Sequence, residues 1–232
     1  MKLKKWKSKF FQMLVILKNI IQKNVVFFLT IIIFYVYAFY RIFIFSKIDN
    51  HLFFNQWVGN FYVDIFFKYL THFGDGLFVV LVGFLWLFKN IRQGLILLIA
   101  YAIAGGLVAV LKNYVFDVAR PHFVFDYFHK DIAVKYVEGV EVLALNSFPS
   151  GHSTAAFVLF TFLAFQSRLN WQKSLMGILG ILVAFSRVYL SQHWLNDIIA
   201  GSLIGLFITL LVIIFFDYKQ WLANYDKGMF DR

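Results

Sequence analysis

Long apolar runs, separated by short polar connections, dominate the pattern of hydrophobic and polar positions along this chain. The runs are continuous rather than alternating, which favours helices over strands, and several approach the ~20 residues that a helix needs to cross a bilayer. We therefore predict an all-α, polytopic membrane protein with about six transmembrane helices in one bundle. The predicted spans cover residues 25–45, about 76–88 with some residues before that run, 94–115, 151–165, 174–190 and 194–216.

The segments outside these spans divide the chain into three parts. Residues 1–24 alternate lysine with tryptophan, phenylalanine, leucine and isoleucine, a pattern typical of a basic amphipathic helix in the membrane interface. Residues 25–216 form the predicted six-span membrane domain, and residues 217–232 a cytoplasmic tail. Within the domain, residues 48–72 mix aromatic with polar side chains and are predicted to form an interfacial helix, and residues 117–149 form the longest polar connection.

Composition supports a membrane protein and excludes several other classes. Hydrophobic residues make up 61% of the 232 positions, against roughly 45–50% in soluble domains, and only 15% are charged. The net charge of +10 does not indicate a nucleic-acid-binding protein, because seven lysines fall between Lys2 and Lys23, where they suit anionic lipid headgroups. The chain contains no cysteine, which excludes disulfides and thiol catalysis.

The distribution of lysine and arginine predicts the orientation of the bundle. Six spans place both termini on one side, and the segments on that side collect most of the basic residues, which is typical of cytoplasmic segments. The helix ends that carry Lys112, His152, Arg187 and His193 then meet on the opposite side. We expect an integral protein of a bacterial inner membrane with these residues facing the periplasmic or extracellular side.

The stretch SRVYLSQHWLND, residues 186–197, contains three residues whose spacing points to phosphate chemistry. His193 and Asp197 are four apart, so in a helix that opens near His193 they share a face. The carboxylate can accept a hydrogen bond from one imidazole nitrogen and leave the other free as a base or nucleophile. Arg187 offers a planar fork of donors for a tetrahedral oxyanion. The His–Asp pair also fits an ordinary polar contact or a pair of metal ligands.

A second candidate motif, Pro149-Ser150-Gly151-His152, directly precedes the fourth predicted span. Glycine lets the backbone approach an anion closely, and a helix N-terminus offers unpaired N–H groups at the positive end of its dipole. Ser150 can donate a hydroxyl, and His152 can protonate a leaving oxygen. The alternative is a plain helix start that Ser150 caps.

Two basic residues earlier in the chain complete the set of candidates. Lys112 lies near the end of the third predicted span, and Arg120 precedes Pro121 in the long polar connection. Each has a structural alternative, because Lys112 can extend to the membrane interface and Arg120 can lie in a solvated loop. Their joint placement with the two motifs above on one membrane face favours a shared anion site.

These residues together resemble the type 2 phosphatidic acid phosphatase (PAP2) family. The family has three signatures, Lys-x6-Arg-Pro, Pro-Ser-Gly-His and Ser-Arg-x5-His-x3-Asp, and the second and third are complete here at 148–153 and 186–197. The first departs, because seven residues separate Lys112 from Arg120. One extra residue rotates a helix by about 100°, so the helix must end or bulge between them. The resemblance covers about residues 74–216.

The resemblance implies a role for each motif residue. His193 attacks phosphorus and becomes a phosphohistidine, Asp197 orients it, and His152 protonates the departing oxygen before water hydrolyses the intermediate. The remaining motif residues hold the phosphate oxygens, namely Lys112, Arg120, Ser150, Gly151 and Arg187. The family resemblance implies neither a metal nor another cofactor. The implied substrate is a phosphorylated lipid in the bilayer, such as phosphatidic acid, phosphatidylglycerol phosphate, a polyprenyl diphosphate or a lipid A-like phosphate.

Other functions remain compatible with the sequence. A phosphotransferase would share the phosphohistidine and pass the phosphoryl group to a second lipid. A transporter would also carry polar residues at helix ends, although here they gather at one face. A metalloenzyme could use His152, His193 and Asp197 as ligands. The sequence does not specify the lipid headgroup, the number of phosphates removed or the oligomeric state.

Overall fold

The computed structural model describes residues 2–229, and side chains from residue 10 onward. Met1 and residues 230–232, the outer ends of the predicted interfacial segment and of the predicted tail, lie outside the described residues. The described part contains ten α-helices and no strand, which confirms the all-α prediction. The helices are α1 Lys2–Lys23, α2 Val25–Ile44, α3 Lys47–Asn55, α4 Phe61–Leu70, α5 Gly76–Lys89, α6 Ile91–Val110, α7 Pro121–Phe128, α8 Gly151–Gln166, α9 Asn170–Tyr189 and α10 Leu195–Lys219.

Helix α8 occupies the centre of the bundle and packs against α6, α9 and α10. Every residue from Ser153 to Phe162 is buried, so this helix presents no lipid-facing side over that length. Two glycines of α10 allow its close approach. A Cβ atom at Gly201 would lie 2.3 Å from the carbonyl oxygen of Ser150, and one at Gly205 would lie 2.4 Å from that of Thr154. Small residues four apart thus bring α10 onto the start of α8.

Three or four segments of the described residues meet the criteria of length and apolar composition for a membrane span, against about six predicted. Three segments meet these criteria alone, α2, α10 and the continuous helix Ile91–Val115. A fourth span arises if Phe61–Gly74 and Gly76–Lys89, which are bent by 56° at their junction, cross the membrane together. The predicted spans in α8 and α9 do not meet the criteria. Helix α8 has 16 residues, about 24 Å of helix, and protein rather than lipid surrounds it.

The bent pair also corrects the prediction for residues 48–72. Only α3, at Lys47–Asn55, remains a separate short helix of the interfacial kind predicted. Residues 61–70 form α4, which continues through a 3₁₀ turn, Thr71–Gly74, towards α5. This turn packs against α8 and α9, so it reaches the centre of the bundle instead of lying at its surface.

The polar connection before α8 is fixed to the rest of the bundle although most of it has no regular structure. Helix α7 occupies its first part, with Pro121 at the first helical position, where a missing N–H costs nothing. Further along, the side chain of Asn55 bonds both the N–H and the carbonyl of Lys135. Lys68 donates to the carbonyl of Glu138 at 2.8 Å. Helices α3 and α4 therefore hold this loop in place.

The two ends of the chain pack against the bundle. Helix α1 contacts α10 and α2. At the other end, α10 runs to Lys219, three residues into the predicted tail, and the chain then folds back towards the start of α6. Arg92 fixes it there through Asp217, at 2.6 Å, and through the carbonyl of Trp221, at 3.1 Å.

Candidate active site

His193 and Asp197 contact each other as their spacing predicts, although His193 lies just before α10, which begins at Leu195, and only Asp197 lies in its first turn. His193 Nδ1 is 3.3 Å from Asp197 Oδ2, and both side chains are only 2% exposed. The same carboxylate oxygen accepts a hydrogen bond from the Trp194 N–H at 3.0 Å and one from the Ser147 hydroxyl. These donors fix the carboxylate, which in turn fixes the imidazole ring.

Arg120 lies against the other nitrogen of His193. Its Nη1 is 3.5 Å from His193 Nε2 and donates at 3.1 Å to both the carbonyl and the side-chain oxygen of Gln192. Its Nε donates to the carbonyl of Leu145 at 2.9 Å. The guanidinium is therefore held by backbone oxygens and directed at the nitrogen of His193 that does not face Asp197.

The electrostatic surroundings keep His193 neutral. Burial, reinforced by the positive charges of Arg120, Arg187 and Lys112, holds the pKa of His193 well below its usual value of 6.5. A neutral imidazole has a lone pair on one nitrogen, and the contact with Asp197 directs the proton to Nδ1. The lone pair then lies on Nε2, next to Arg120.

Arg187 comes from the last turn of α9 and is buried, with 8% exposure. Its Nη1 donates to the Thr71 hydroxyl at 2.8 Å, so the 3₁₀ turn after α4 positions it. Its Nε is buried and has no hydrogen-bond partner among the described residues. Burying a donor of a charged group without a partner is costly, and an anion at this position would satisfy it.

Lys112 lies in a π-helical turn, Leu111–Val115, after which the chain becomes extended at Phe116. The helix thus changes its winding and ends between Lys112 and Arg120, as the extra residue in this motif requires. Lys112 Nζ donates to the carbonyl of Asn146 at 3.1 Å. Its charge also acts on His193, so the irregular turn keeps Lys112 within electrostatic reach of that ring.

Ser150 and Gly151 form the start of α8. The Ser150 side chain accepts a hydrogen bond from the Ser153 N–H at 3.3 Å and is fully buried, so it caps the helix. Its own N–H donates to the carbonyl of Asp197 at 3.0 Å, which joins the two motifs. Gly151 has nothing within 4 Å of the position of a Cβ atom, and its backbone opens to a cavity.

This cavity has a volume of about 390 Å³ and lies between α6 and the start of α8. Its lining includes the polar residues Lys112, Asn146 and His152 and the apolar residues Val108 and Ala155. This mixed lining suits a ligand that carries both a charged group and an apolar chain. His152 lines this cavity, and its Nε2 is 2.9 Å from Asp75 Oδ1.

The structure brings all eight predicted site residues to one end of the bundle and adds several that sequence reasoning missed. Ser147 binds Asp197, Thr71 binds Arg187, Gln192 binds Arg120 and Asp75 binds His152. A Gly-flanked acidic residue just before an apolar run was the available signal for Asp75. No group of three or more His, Cys, Asp or Glu side chains among the described residues is arranged for a metal ion.

The fold and this site define an all-helical membrane protein with a buried His–Asp pair surrounded by basic residues. The chain belongs to the PAP2 superfamily, whose sequence profile matches residues 93–221. It is 37% identical over 132 residues to YbjG of Escherichia coli (strain K12), and these residues cover 55% of this chain and 60% of that protein. The chain therefore spans somewhat under two thirds of the length of this relative.

Two further similarities extend the comparison. An undecaprenyl-diphosphatase of Sulfolobus acidocaldarius is 33% identical over 156 residues, which cover 62% of this chain and 66% of that protein. The crystal structure of a transmembrane PAP2-type phosphatidylglycerolphosphate phosphatase from Bacillus subtilis matches with a TM-score of 0.57 and 26% identity. That match covers 85% of this chain and 96% of the other. The integral membrane character predicted from the apolar runs is thereby confirmed.

Proposed function

We propose that this protein is a membrane lipid phosphatase that hydrolyses a phosphomonoester or diphosphate of a bilayer lipid through a phosphohistidine. One observation carries the proposal, the position of the His193 ring between Asp197 and Arg120. Its Nδ1 faces Asp197 at 3.3 Å, and its Nε2 faces Arg120 at 3.5 Å. A neutral imidazole whose free lone pair points at a phosphate-binding guanidinium is suited to attack phosphorus.

The reaction proceeds in two displacements. His193 Nε2 attacks the phosphorus while the bond to the lipid oxygen breaks, and His152 gives its proton to that oxygen. A water molecule then attacks the phosphohistidine, His152 takes a proton from this water, and His193 leaves as a neutral imidazole. Asp197 stabilises the ring while it carries positive charge. Both steps are in-line displacements at phosphorus, so positioning and charge stabilisation supply the catalysis.

The basic residues stabilise the equatorial oxygens of the transferred group. Arg120, Arg187 and Lys112 supply three positive charges, and the Nε of Arg187, without a partner among the described residues, supplies a buried donor for one oxygen. The Gly151 N–H, at the open start of α8, supplies another, since a helix N-terminus favours an anion. Ser150 acts through its cap of α8, which fixes this backbone. These donors act in a buried site, where they are stronger than in water.

The substrate class follows from the relatives and from the cavity. The similar proteins are named for undecaprenyl diphosphate and phosphatidylglycerolphosphate, which are both lipids with a terminal phosphate. The cavity next to His152 is lined by both polar and apolar residues, which supports a substrate of this kind. We include phosphatidic acid and a lipid A-like phosphate as candidates with the same chemistry.

We propose a bacterial inner membrane as the location, with the site on the periplasmic or extracellular side. The charge distribution supports this orientation. Lys89 and Arg168 line a cavity of about 880 Å³ that shares no residue with the cavity next to His152. An excess of lysine and arginine is typical of the cytoplasmic side.

Phosphate release by the purified protein in detergent tests the proposed activity. The substrates are phosphatidic acid, phosphatidylglycerol phosphate, undecaprenyl diphosphate and a lipid A-type phosphate, each with a chelator present. We expect chelator-resistant release from at least one lipid, and an acid-labile phosphoenzyme with a labelled substrate. His193→Ala should lose release by about 10³-fold or more and should not be labelled. His122→Ala, a histidine outside the site, is the matched control and should retain activity.

Other outcomes would contradict the proposal in distinguishable ways. Release that survives in His193→Ala would remove this residue from the mechanism. Release abolished by the chelator would favour a metalloenzyme. Transfer of the label to a second lipid, without free phosphate, would favour a phosphotransferase.

A further inference from the structure

Asp75 lies outside the three family signatures and contacts the histidine of the second one. Its Oδ1 is 2.9 Å from His152 Nε2, and its Oδ2 is 3.0 Å from His72 Nδ1. The carboxylate therefore lies between two imidazoles. The ring of His152 lines the candidate substrate cavity, whereas that of His72 is exposed at the surface.

The backbone around Asp75 permits this contact in a way that a random surface loop would not. A Cβ atom at Gly74 would lie 2.9 Å from the carbonyl oxygen of His152, and one at Gly76 would lie 1.7 Å from the Tyr101 hydroxyl. Both distances are shorter than side chains tolerate. The two glycines thus let the turn between α4 and α5 approach α8 on one side and α6 on the other, with Asp75 between them.

The charges around His152 give the carboxylate a specific task. Burial and two cations, Arg187 on α9 and Lys112 after α6, lower the pKa of His152 to about 3, and Asp75 opposes this lowering through its charge and its hydrogen bond. Tyr101 of α6 lies beside the turn but carries no charge near neutral pH. An acid that must hold a proton between two cations needs a nearby negative charge.

We propose that Asp75 is the positioning residue that orients the His152 ring and favours its protonated form for proton donation, an inference that rests on the proposed phosphatase function. Asp75 accepts the hydrogen of His152 Nε2. When the bond between phosphorus and the lipid oxygen breaks, the hydrogen on the other ring nitrogen, Nδ1, passes to the lipid oxygen, and His152 becomes neutral with its Nε2 hydrogen still bonded to Asp75. In the second displacement His152 takes a proton from the attacking water and is charged again. Asp75 remains a carboxylate throughout.

Asp75→Asn in the full-length protein tests this role with two leaving groups. Phosphatidic acid has an alkoxide leaving group that needs a proton, and 4-nitrophenyl phosphate has a leaving group that does not. We expect kcat on phosphatidic acid to fall about 10- to 100-fold with KM within about threefold, and activity on 4-nitrophenyl phosphate to change little. The basic limb of kcat against pH should move to lower pH by about one unit.

The chain offers a matched control in a second His–Asp pair. His122 Nε2 is 3.3 Å from Asp126 Oδ2, outside the site. Asp126→Asn should leave both activities and the pH profile unchanged. Asp75→Glu retains the negative charge and should keep the basic limb within about half a pH unit of its original position, even where its kcat falls. Asp75→Ser, which also removes the negative charge, carries the test if Asp75→Asn does not elute as a folded protein.

Three results would overturn the inference. Equal loss on both leaving groups, a change in KM alone, or an unshifted basic limb would each show that Asp75 acts only structurally. These results require an active unmodified protein and an inactive His193→Ala, so they are distinct from failure of the proposed function. If the unmodified protein releases no phosphate from any substrate, both the proposed function and the role of Asp75 are refuted.

Discussion

Replacing Gly201 by alanine should misplace the start of α8 and so damage the site without changing any of its side chains. The added Cβ atom would lie 2.3 Å from the carbonyl oxygen of Ser150, about 1 Å short of ordinary van der Waals contact, which begins at 3.4 Å. A second contact, at 3.1 Å, is with Thr154 Oγ1, which itself donates to the Gly201 carbonyl. The carbonyl belongs to the backbone and cannot rotate away, so α8 and α10 must separate.

The size of the effect follows from this displacement. Overpacking of this kind costs about 1–3 kcal/mol of stability, and each kcal/mol corresponds to about 2–4 °C in the unfolding temperature of a chain of this length. A shift of about 1 Å at a reacting group lowers a rate by about 10²-fold. We therefore expect Gly201→Ala to unfold several degrees earlier and to lose more activity than its lost stability alone explains.

Gly106→Ala is the matched control, because it adds the same methyl group to a glycine inside a helix. Nothing lies within 4 Å of the Cβ position at Gly106, so the variant should unfold at the original temperature or slightly above it. Thermal unfolding in detergent and initial rates of phosphate release measure the two effects. Gly201→Ala with unchanged stability and kcat, or a Gly106→Ala variant that is equally damaged, would refute the packing argument.

Two further predictions concern topology and pH. Because the chain has no cysteine, Lys130→Cys and Arg168→Cys can be labelled without background. An impermeant maleimide should label Lys130→Cys in intact spheroplasts and Arg168→Cys only after lysis. The reverse result would show the opposite orientation. Burial lowers the pKa of His51 to about 4 in the folded protein. The ring is therefore neutral in both the folded and the unfolded protein above pH ~6.5. As the pH falls from there towards 4, only the unfolded protein binds the proton, so the folded state loses up to about 1.4 kcal/mol of stability per pH unit. His51→Gln should lose less stability over this range in detergent unfolding curves, and identical slopes would contradict the assignment.

The span count depends on helix length and packing, which the apolar runs of the sequence do not show. The pattern predicted spans in α8 and α9, because both regions are apolar over many residues. Helix α8 is apolar since other helices surround it, with every residue from Ser153 to Phe162 buried. A buried helix and a lipid-facing helix have the same composition, so only the packing distinguishes them. Conversely, residues 61–70 looked mixed in polarity, yet they belong to the bent pair.

The sequence by itself determined the helical class and the features that depend on local spacing. A separation of four residues across a helix start is enough to bring His193, just before α10, against Asp197 in its first turn, and they meet at 3.3 Å. The extra residue between Lys112 and Arg120 required an irregular helix end, and a π-helical turn provides it. The irregular end follows from the constant rotation per residue of an α-helix, and the His–Asp contact from short separation along the chain, so neither needs knowledge of the rest of the fold.

Only the tertiary structure decided which distant residues support these motifs. The contact of Asp75 with His152 depends on how a bent helix pair packs against α8, and that of Thr71 with Arg187 depends on the same turn. Ser147 reaches Asp197 because the loop before α8 folds over the start of α10. Contacts between residues far apart in the chain arise from the packing of whole elements, and no local periodicity encodes them.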